Sequence, residues 1–217
     1  MRFDDQRKKM VTTQLIPRGI VDKNVIDAFL KVPRECFVSD EWKEFAYKDH
    51  PLTIGFKQTI SQPYIVALMM SLINIENTDN VLEIGTGCGY QTALLAEIAE
   101  AVYTIERIEE LLLSAKRTLK SLEYKNIYFK IGDGCLGWVN AFPSISEFDK
   151  IIISAASPDK PENLLSQLKN GGKLIVPQGI FSRQELIVYE KIDNEILTHK
   201  HGECVFVPLI GEGAWEL

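Results

Sequence analysis

The stretch Val81-Leu82-Glu83-Ile84-Gly85-Thr86-Gly87-Cys88-Gly89-Tyr90 joins a short apolar run, an acid and a loop with glycine at every second position. A helical pattern, Gln91 to Ala99, follows. Strand, glycine loop and helix together make a nucleotide-type cofactor site, in which free backbone N–H groups face a ligand. The spacing separates cofactor classes. A dinucleotide site reads G-x-G-x-x-G, and this loop reads G-x-G-x-G. Glu83, just before the loop, is expected at its mouth, where a carboxylate repels a pyrophosphate and favours a cation. S-adenosylmethionine fits both conditions: it has no phosphate and carries a sulfonium and an ammonium. The bland alternative for the loop alone is a tight turn before a helix.

Two further acids extend the argument. Glu106 closes the next apolar run, Ala101 to Ile105, about 20 residues after the first loop glycine, a position suited to the ribose hydroxyls. Asp133, in Gly132-Asp133-Gly134 after Ile127–Ile131, could accept from an adenine amino group. Taken singly, Glu106 reads equally as a solvated strand end and Asp133 as an Asx turn. Three polar signals at three successive strand ends point to the edge where open α/β sheets bind ligands.

A second polar cluster, Gly55-Phe56-Lys57-Gln58-Thr59-Ile60-Ser61-Gln62-Pro63-Tyr64, precedes a helix. A helix N-terminus suits a carboxylate, and Ser61 reads either as the cap of that helix or as a ligand-facing hydroxyl. The histidines His50, His199 and His201 form no triad pattern with a nucleophile and read as surface or loop residues.

The elements that must position these groups follow from periodicity. Helices are expected at Asp5–Leu15, from Asp22 as cap to Lys31, from Gln62-Pro63, and at Gln91–Ala99, Glu109–Leu122 and Glu162–Lys169, the last closed by Gly171-Gly172. Strands are expected at Val81–Ile84, Val102–Ile105, Ile127–Ile131, Lys150–Ser154 and Lys173–Val176. Alternating strands and helices imply a doubly wound, mostly parallel α/β sheet. Glu185–Lys191 and Glu195–Val207, joined at Asp193-Asn194, read as an antiparallel strand pair closing it. The 217 residues suit one domain, with a helical, substrate-side extension at 1–79 and a cofactor-binding core at 80–217.

Composition narrows the classes. A net charge of −6 without a basic stripe argues against a nucleic-acid partner. No apolar run approaches the roughly 20 residues that span a bilayer, and the polar start of the chain lacks a signal core. Cys36, Cys88, Cys135 and Cys204 are scattered, so neither a metal site nor a disulfide framework is expected, and a reducing cytoplasm is. A monomer is expected.

Several segments together resemble the protein-L-isoaspartate O-methyltransferases, a family of class I S-adenosylmethionine-dependent enzymes with a Rossmann-like fold. They are Val32-Pro33-Arg34-Glu35, Ala46 to Gly55, Gln58 to Tyr64, Leu82 to Gln91, Tyr103 to Arg107, Gly132-Asp133-Gly134, Gly137-Trp138, Gln167 to Gly172 and Phe206 to Leu209. The resemblance runs nearly the whole length, and Thr59-Ile60-Ser61-Gln62-Pro63 is its most specific part. It implies methyl transfer to the free α-carboxylate of L-isoaspartyl residues in damaged proteins, followed by closure to a succinimide. It also implies Ser61 as the active-site residue and Gln58, Thr59, Ile60 and Ser61 beside cofactor and substrate. The loop Gly85, Thr86, Gly87 and Cys88 with Glu83 joins the cofactor set, as do Glu106, Arg107, Asp133 and Gly134 at the ribose and adenine ends. Pro51, Ile54, Val207, Pro208 and Leu209, with Ser61, are the candidate walls for an isoaspartyl peptide held largely through its backbone. Lys57 where glycine is usual, Thr53, Lys160 and Tyr64 depart from the family pattern and bear on the groove's shape. The alternative is another class I S-adenosylmethionine enzyme. A nucleic-acid amino-methylating one is disfavoured because Ser154-Ala155-Ala156-Ser157 replaces its Asn/Asp-Pro-Pro-aromatic box.

Overall fold

The computed structural model describes residues 2–193 and 195–216. Helix α1, Phe3–Met10, continues through a wider turn, Val11–Leu15, and a tight one, Ile16–Arg18. Helix α2, Lys23–Lys31, starts at Asp22, whose carboxylate accepts from the N–H groups of Asn24 and Val25, as its cap reading predicts. A hairpin of β1 (Leu52–Gly55) and β2 (Gln58–Ile60) leads into α3 (Pro63–Ile73). The alternating half follows: β3 (Asn80–Ile84), α4 (Tyr90–Ala96), β4 (Ala101–Glu106), α5 (Glu109–Ser121) and β5 (Ile127–Ile131). Then come β6 (Phe148–Ile153), α6 (Glu162–Leu165), β7 (Leu168–Ile180), β8 (Arg183–Ile192) and β9 (Glu195–Cys204).

Strands β3 to β9 form one sheet in the order β5-β4-β3-β6-β7-β8-β9. The first five in that order are parallel, and β8 runs antiparallel to both β7 and β9. The chain winds outward from β3 to β5 and then returns to the other side of β3. The order therefore reverses between β3 and β6, and loops leaving their C-terminal ends diverge around a crevice.

Strand alternation divides the core. Val81, Val102, Ile152 and Ile175 face one side of the sheet with Phe29, Met70 and Leu94; Leu82, Tyr103, Ile151 and Leu174 face the other with Trp138 and Leu164. Met10, from the N-terminal extension, lies in the first of these clusters, so residues of 1–79 and 80–217 share a core.

Three expectations need correction, and one element was not expected. Helix α6 stops at Leu165, because Leu168 already pairs with Phe148 in the sheet. Gly171 and Gly172 lie inside β7, where a Cβ on Gly172 would meet the Asp149 carbonyl at 2.9 Å. Strand β9 ends at Cys204 instead of Val207, since Val207 leaves to accept from the Ala156 N–H at 2.7 Å. The β1–β2 hairpin carries no sequence signal: its turn residues Phe56 and Lys57 take φ of +52° and +57°, a region usually left to Gly or Asn. Asn194, in the expected Asp193-Asn194 turn, lies outside the described residues.

Candidate active site

A partly open cavity lies against the C-terminal ends of β3, β4 and β6. Gly85, Thr86, Gly87 and Cys88 line one side of it. Gly85 and Gly87 take φ of +95° and +54°, which glycine adopts without strain and which turns the backbone toward the cavity. Glu106, Arg107, Ile108 and Gly134 line a second side, Gln58 to Ser61 a third, and Val207 to Ile210 a fourth. Gly134 has no room for a side chain, because a Cβ there would fall inside the Ile84 methyl group.

Glu106 ends β4 and lines the cavity. One carboxylate oxygen accepts from the Gly87 N–H at 2.9 Å, and the other accepts from Arg107 and Ile108 at 2.9 and 3.0 Å. A carboxylate offers about four acceptor positions. Three backbone donors therefore fix its orientation and leave about one acceptor position, enough for one hydroxyl.

Glu83 and Asp133 behave differently from expectation, since neither lines the cavity. Glu83 is fully buried and shares the helix-facing side of β3 with Val81. Its carboxylate accepts from Thr92 and Thr104 hydroxyls at 2.5 and 2.7 Å and from Gln91 Nε2 at 3.2 Å. Burial pushes its pKa up to about 7, against the lowering effect of those three donors. Glu83 is the penultimate residue of β3 and its side chain meets α4 and β4, so it ties β3, β4 and α4 behind the loop. It is linked to the cavity through Gln91, whose Nε2 also donates to Ser154 Oγ at 2.7 Å, and through Thr104, whose hydroxyl is hydrogen-bonded to that of Thr86 at 2.6 Å. Asp133 accepts from its neighbour Cys135 and from the Glu212 N–H, both at 2.8 Å. It pins the C-terminal segment, and its neighbour Gly134 faces the cavity.

Ser61 is not the cap of α3. The cap position is Gln62, and the helix start is satisfied by Asp49. The Asp49 carboxylate accepts from the Tyr64 N–H at 3.3 Å, Gln62 Nε2 at 2.8 Å and Arg18 Nη1 at 2.5 Å. Arg18 also stacks on the Tyr64 ring, 3.3 Å from its centroid. Ser61 is thus free to face the cavity. It also lines a second groove, with Arg18, Pro51, Tyr64, Val205 and Phe206. Cavity and groove share Thr59, Ser61, Ser154 and Val207, so Ser61 stands where they meet. Among the expected peptide walls, Pro51 and Val207 line the groove, while Ile54, Pro208 and Leu209 line the cavity.

Sequence reading missed Tyr90, Gln91 and Ser154 as cavity residues and passed over Asp49 and Arg34. Arg34 had a signal only in its motif. No activated nucleophile lines the cavity: burial pushes the Cys88 thiol up to about 11, and the three histidines are exposed and line neither space.

A mostly parallel sheet with an antiparallel edge, a glycine loop after β3 and a backbone-held acid at the tip of β4 define a Rossmann-like methyltransferase. Residues 6–214 match the model of the family Protein-L-isoaspartate(D-aspartate) O-methyltransferase, and the chain belongs to that family. It is 50% identical over 216 residues to the protein-L-isoaspartate O-methyltransferase of Petrotoga mobilis, covering 99% of this chain and 100% of that one. The Trichlorobacter lovleyi protein of the same name is 47% identical over 218 residues, covering 100% and 99%. A solved protein-L-isoaspartate O-methyltransferase aligns with a TM-score of 0.83 at 28% identity, over 96% of this chain and 67% of that one. A Plasmodium falciparum structure, titled as a beta-aspartate methyltransferase in complex with S-adenosyl-L-homocysteine, shares the fold at a TM-score of 0.82 and 24% identity, over 97% and 99%.

Proposed function

We propose that this chain transfers the methyl group of S-adenosyl-L-methionine to the free α-carboxylate of L-isoaspartyl residues in damaged proteins. The observation that carries the reading is the position of Ser61 where the cavity lined by the glycine loop and Glu106 meets the adjoining groove. The residues present fit the cofactor. Glu106 has about one acceptor position left for a ribose hydroxyl, and the Gly85–Cys88 backbone can approach the amino-acid end. Gly134, packed against Ile84, lines the cavity next to Glu106, Arg107 and Ile108, where the base would lie. Bound there, the cofactor would supply an electrophilic methyl group on a sulfonium.

The remaining work falls to the chain. A carboxylate is ionised at neutral pH, so no general base is needed, in keeping with a cavity free of histidine. Rate enhancement then rests on alignment. Ser61 Oγ donates to the substrate carboxylate and orients it without acting as a nucleophile. Gln58, Thr59 and Ile60 set its direction from β2. Pro51 and Val207 flank the extended peptide, whose methyl ester then closes to a succinimide. We place this activity in the reducing cytoplasm, in keeping with four free cysteines.

Labelled cofactor with an isoaspartyl peptide or its aspartyl twin tests the reaction. Label is expected on the isoaspartyl form alone, and transfer to both or neither would defeat the reading. Ser61→Ala is expected to lower turnover by tenfold or more, and parental turnover would remove Ser61 from its role.

A further inference from the structure

Arg34 is 0% exposed. Its Nε donates to the Ala46 carbonyl at 2.7 Å and its Nη2 to the Ser61 carbonyl at 2.8 Å. The guanidinium lies over the ring of Tyr90, 4.7 Å from its centroid, and Tyr90 lines the cavity. Nη1 is buried with no hydrogen-bond partner. Among the described residues the arginines in ion pairs are Arg2, Arg7, Arg18 and Arg183, and Arg34 is in none.

An unpaired buried cation is costly, and arginine cannot shed its proton to escape the cost. Two carbonyls and a ring face offset only part of the charge. The anion that the proposed reaction brings to this place is the substrate carboxylate beside Ser61. Resting on that reading, the geometry points to Arg34 as a positioning residue with two effects. It staples the Ala46 and Ser61 backbones together, and its unbalanced charge favours an ionised carboxylate over a neutral group in the site. Arg34 does not touch the substrate.

The two effects separate kinetically. Methyl transfer cancels the carboxylate's charge, so a positive field stabilises the bound ground state more than the transition state. The field therefore acts on the peptide KM, and the staple, which aligns Ser61, acts on kcat.

The test compares the parent, Arg34→Lys and Arg34→Met. Each is titrated with an isoaspartyl peptide and with a twin whose α-carboxylate is a carboxamide, and cofactor affinity is measured by calorimetry. The parent and Arg34→Lys are expected to prefer the carboxylate peptide at least tenfold, with kcat lowered in Arg34→Lys. Arg34→Met is expected to prefer it less than threefold while binding cofactor within threefold of the parent. A cofactor-binding Arg34→Met protein that keeps the tenfold preference would overturn the proposal, as would a parent without one. If Arg34→Met does not fold, Arg34→Lys decides alone: retained preference supports the field and lost preference overturns it. Failure of the parent to methylate the isoaspartyl peptide would instead defeat the functional reading, so the two failures are distinct.

Discussion

Glu83 makes stability depend on pH in a direction opposite to most carboxylates. Its pKa is pushed up to about 7 from an ordinary 4.5, chiefly by burial. Below pH 4.5 the group is protonated in both the folded and unfolded chain. Between about 4.5 and 7 the unfolded chain loses its proton first, the folded state binds more protons, and stability falls as pH rises. The gap of 2.5 pH units, at about 1.4 kcal/mol each, amounts to about 3 kcal/mol, levelling off above pH 7. Glu83→Gln keeps the shape, cannot ionise, and lets the Thr92 and Thr104 hydroxyls turn to accept. Urea unfolding of parent and variant at half-unit steps from pH 4 to 8 checks this. Other titrating groups cancel in the difference, so the variant should gain about 3 kcal/mol relative to the parent across the window. A difference flat to within about 0.5 kcal/mol would refute the buried, half-protonated carboxylate.

Three further outcomes are expected. Glu106→Gln sets an amide against backbone donors and should weaken S-adenosylhomocysteine binding by about 10- to 100-fold, or roughly 1.5–3 kcal/mol, measured by calorimetry. Gly134→Ala drives a methyl into Ile84 and should cost about 1–3 kcal/mol of stability, with weaker cofactor binding, read by thermal melting with and without ligand. Asp49→Ala removes the cap of α3 and the Arg18 pair. It should cost about 1–2 kcal/mol and raise the peptide KM while leaving cofactor affinity unchanged.

Locally encoded features were legible in the residues. Strand β5 spans Ile127–Ile131 as its apolar run predicts, and Asp22 caps α2 through N–H groups within three positions of itself. Glu106 was legible because its donors, Gly87, Arg107 and Ile108, belong to the loop and strand end that the motif itself specifies. Glu83 was misjudged because spacing gives a residue's distance from a loop but not the face of the strand on which its side chain lies. Ser61 was ambiguous for a similar reason: Asp49, which satisfies the helix start in its place, lies 15 residues from Tyr64.

The sequence by itself determined the kind of sheet, the edge at which the cavity lies and the family, since periodicity and motif spacing are properties of short segments. Only the tertiary structure decided which groups meet. It turned Glu83 away from the cavity and joined Asp133 to Glu212, 79 positions on. It also buried Arg34 behind Ser61 and set Ser61 between cavity and groove. These contacts depend on how the elements pack across the topological switch, and no local pattern encodes a distance between residues that far apart in the chain.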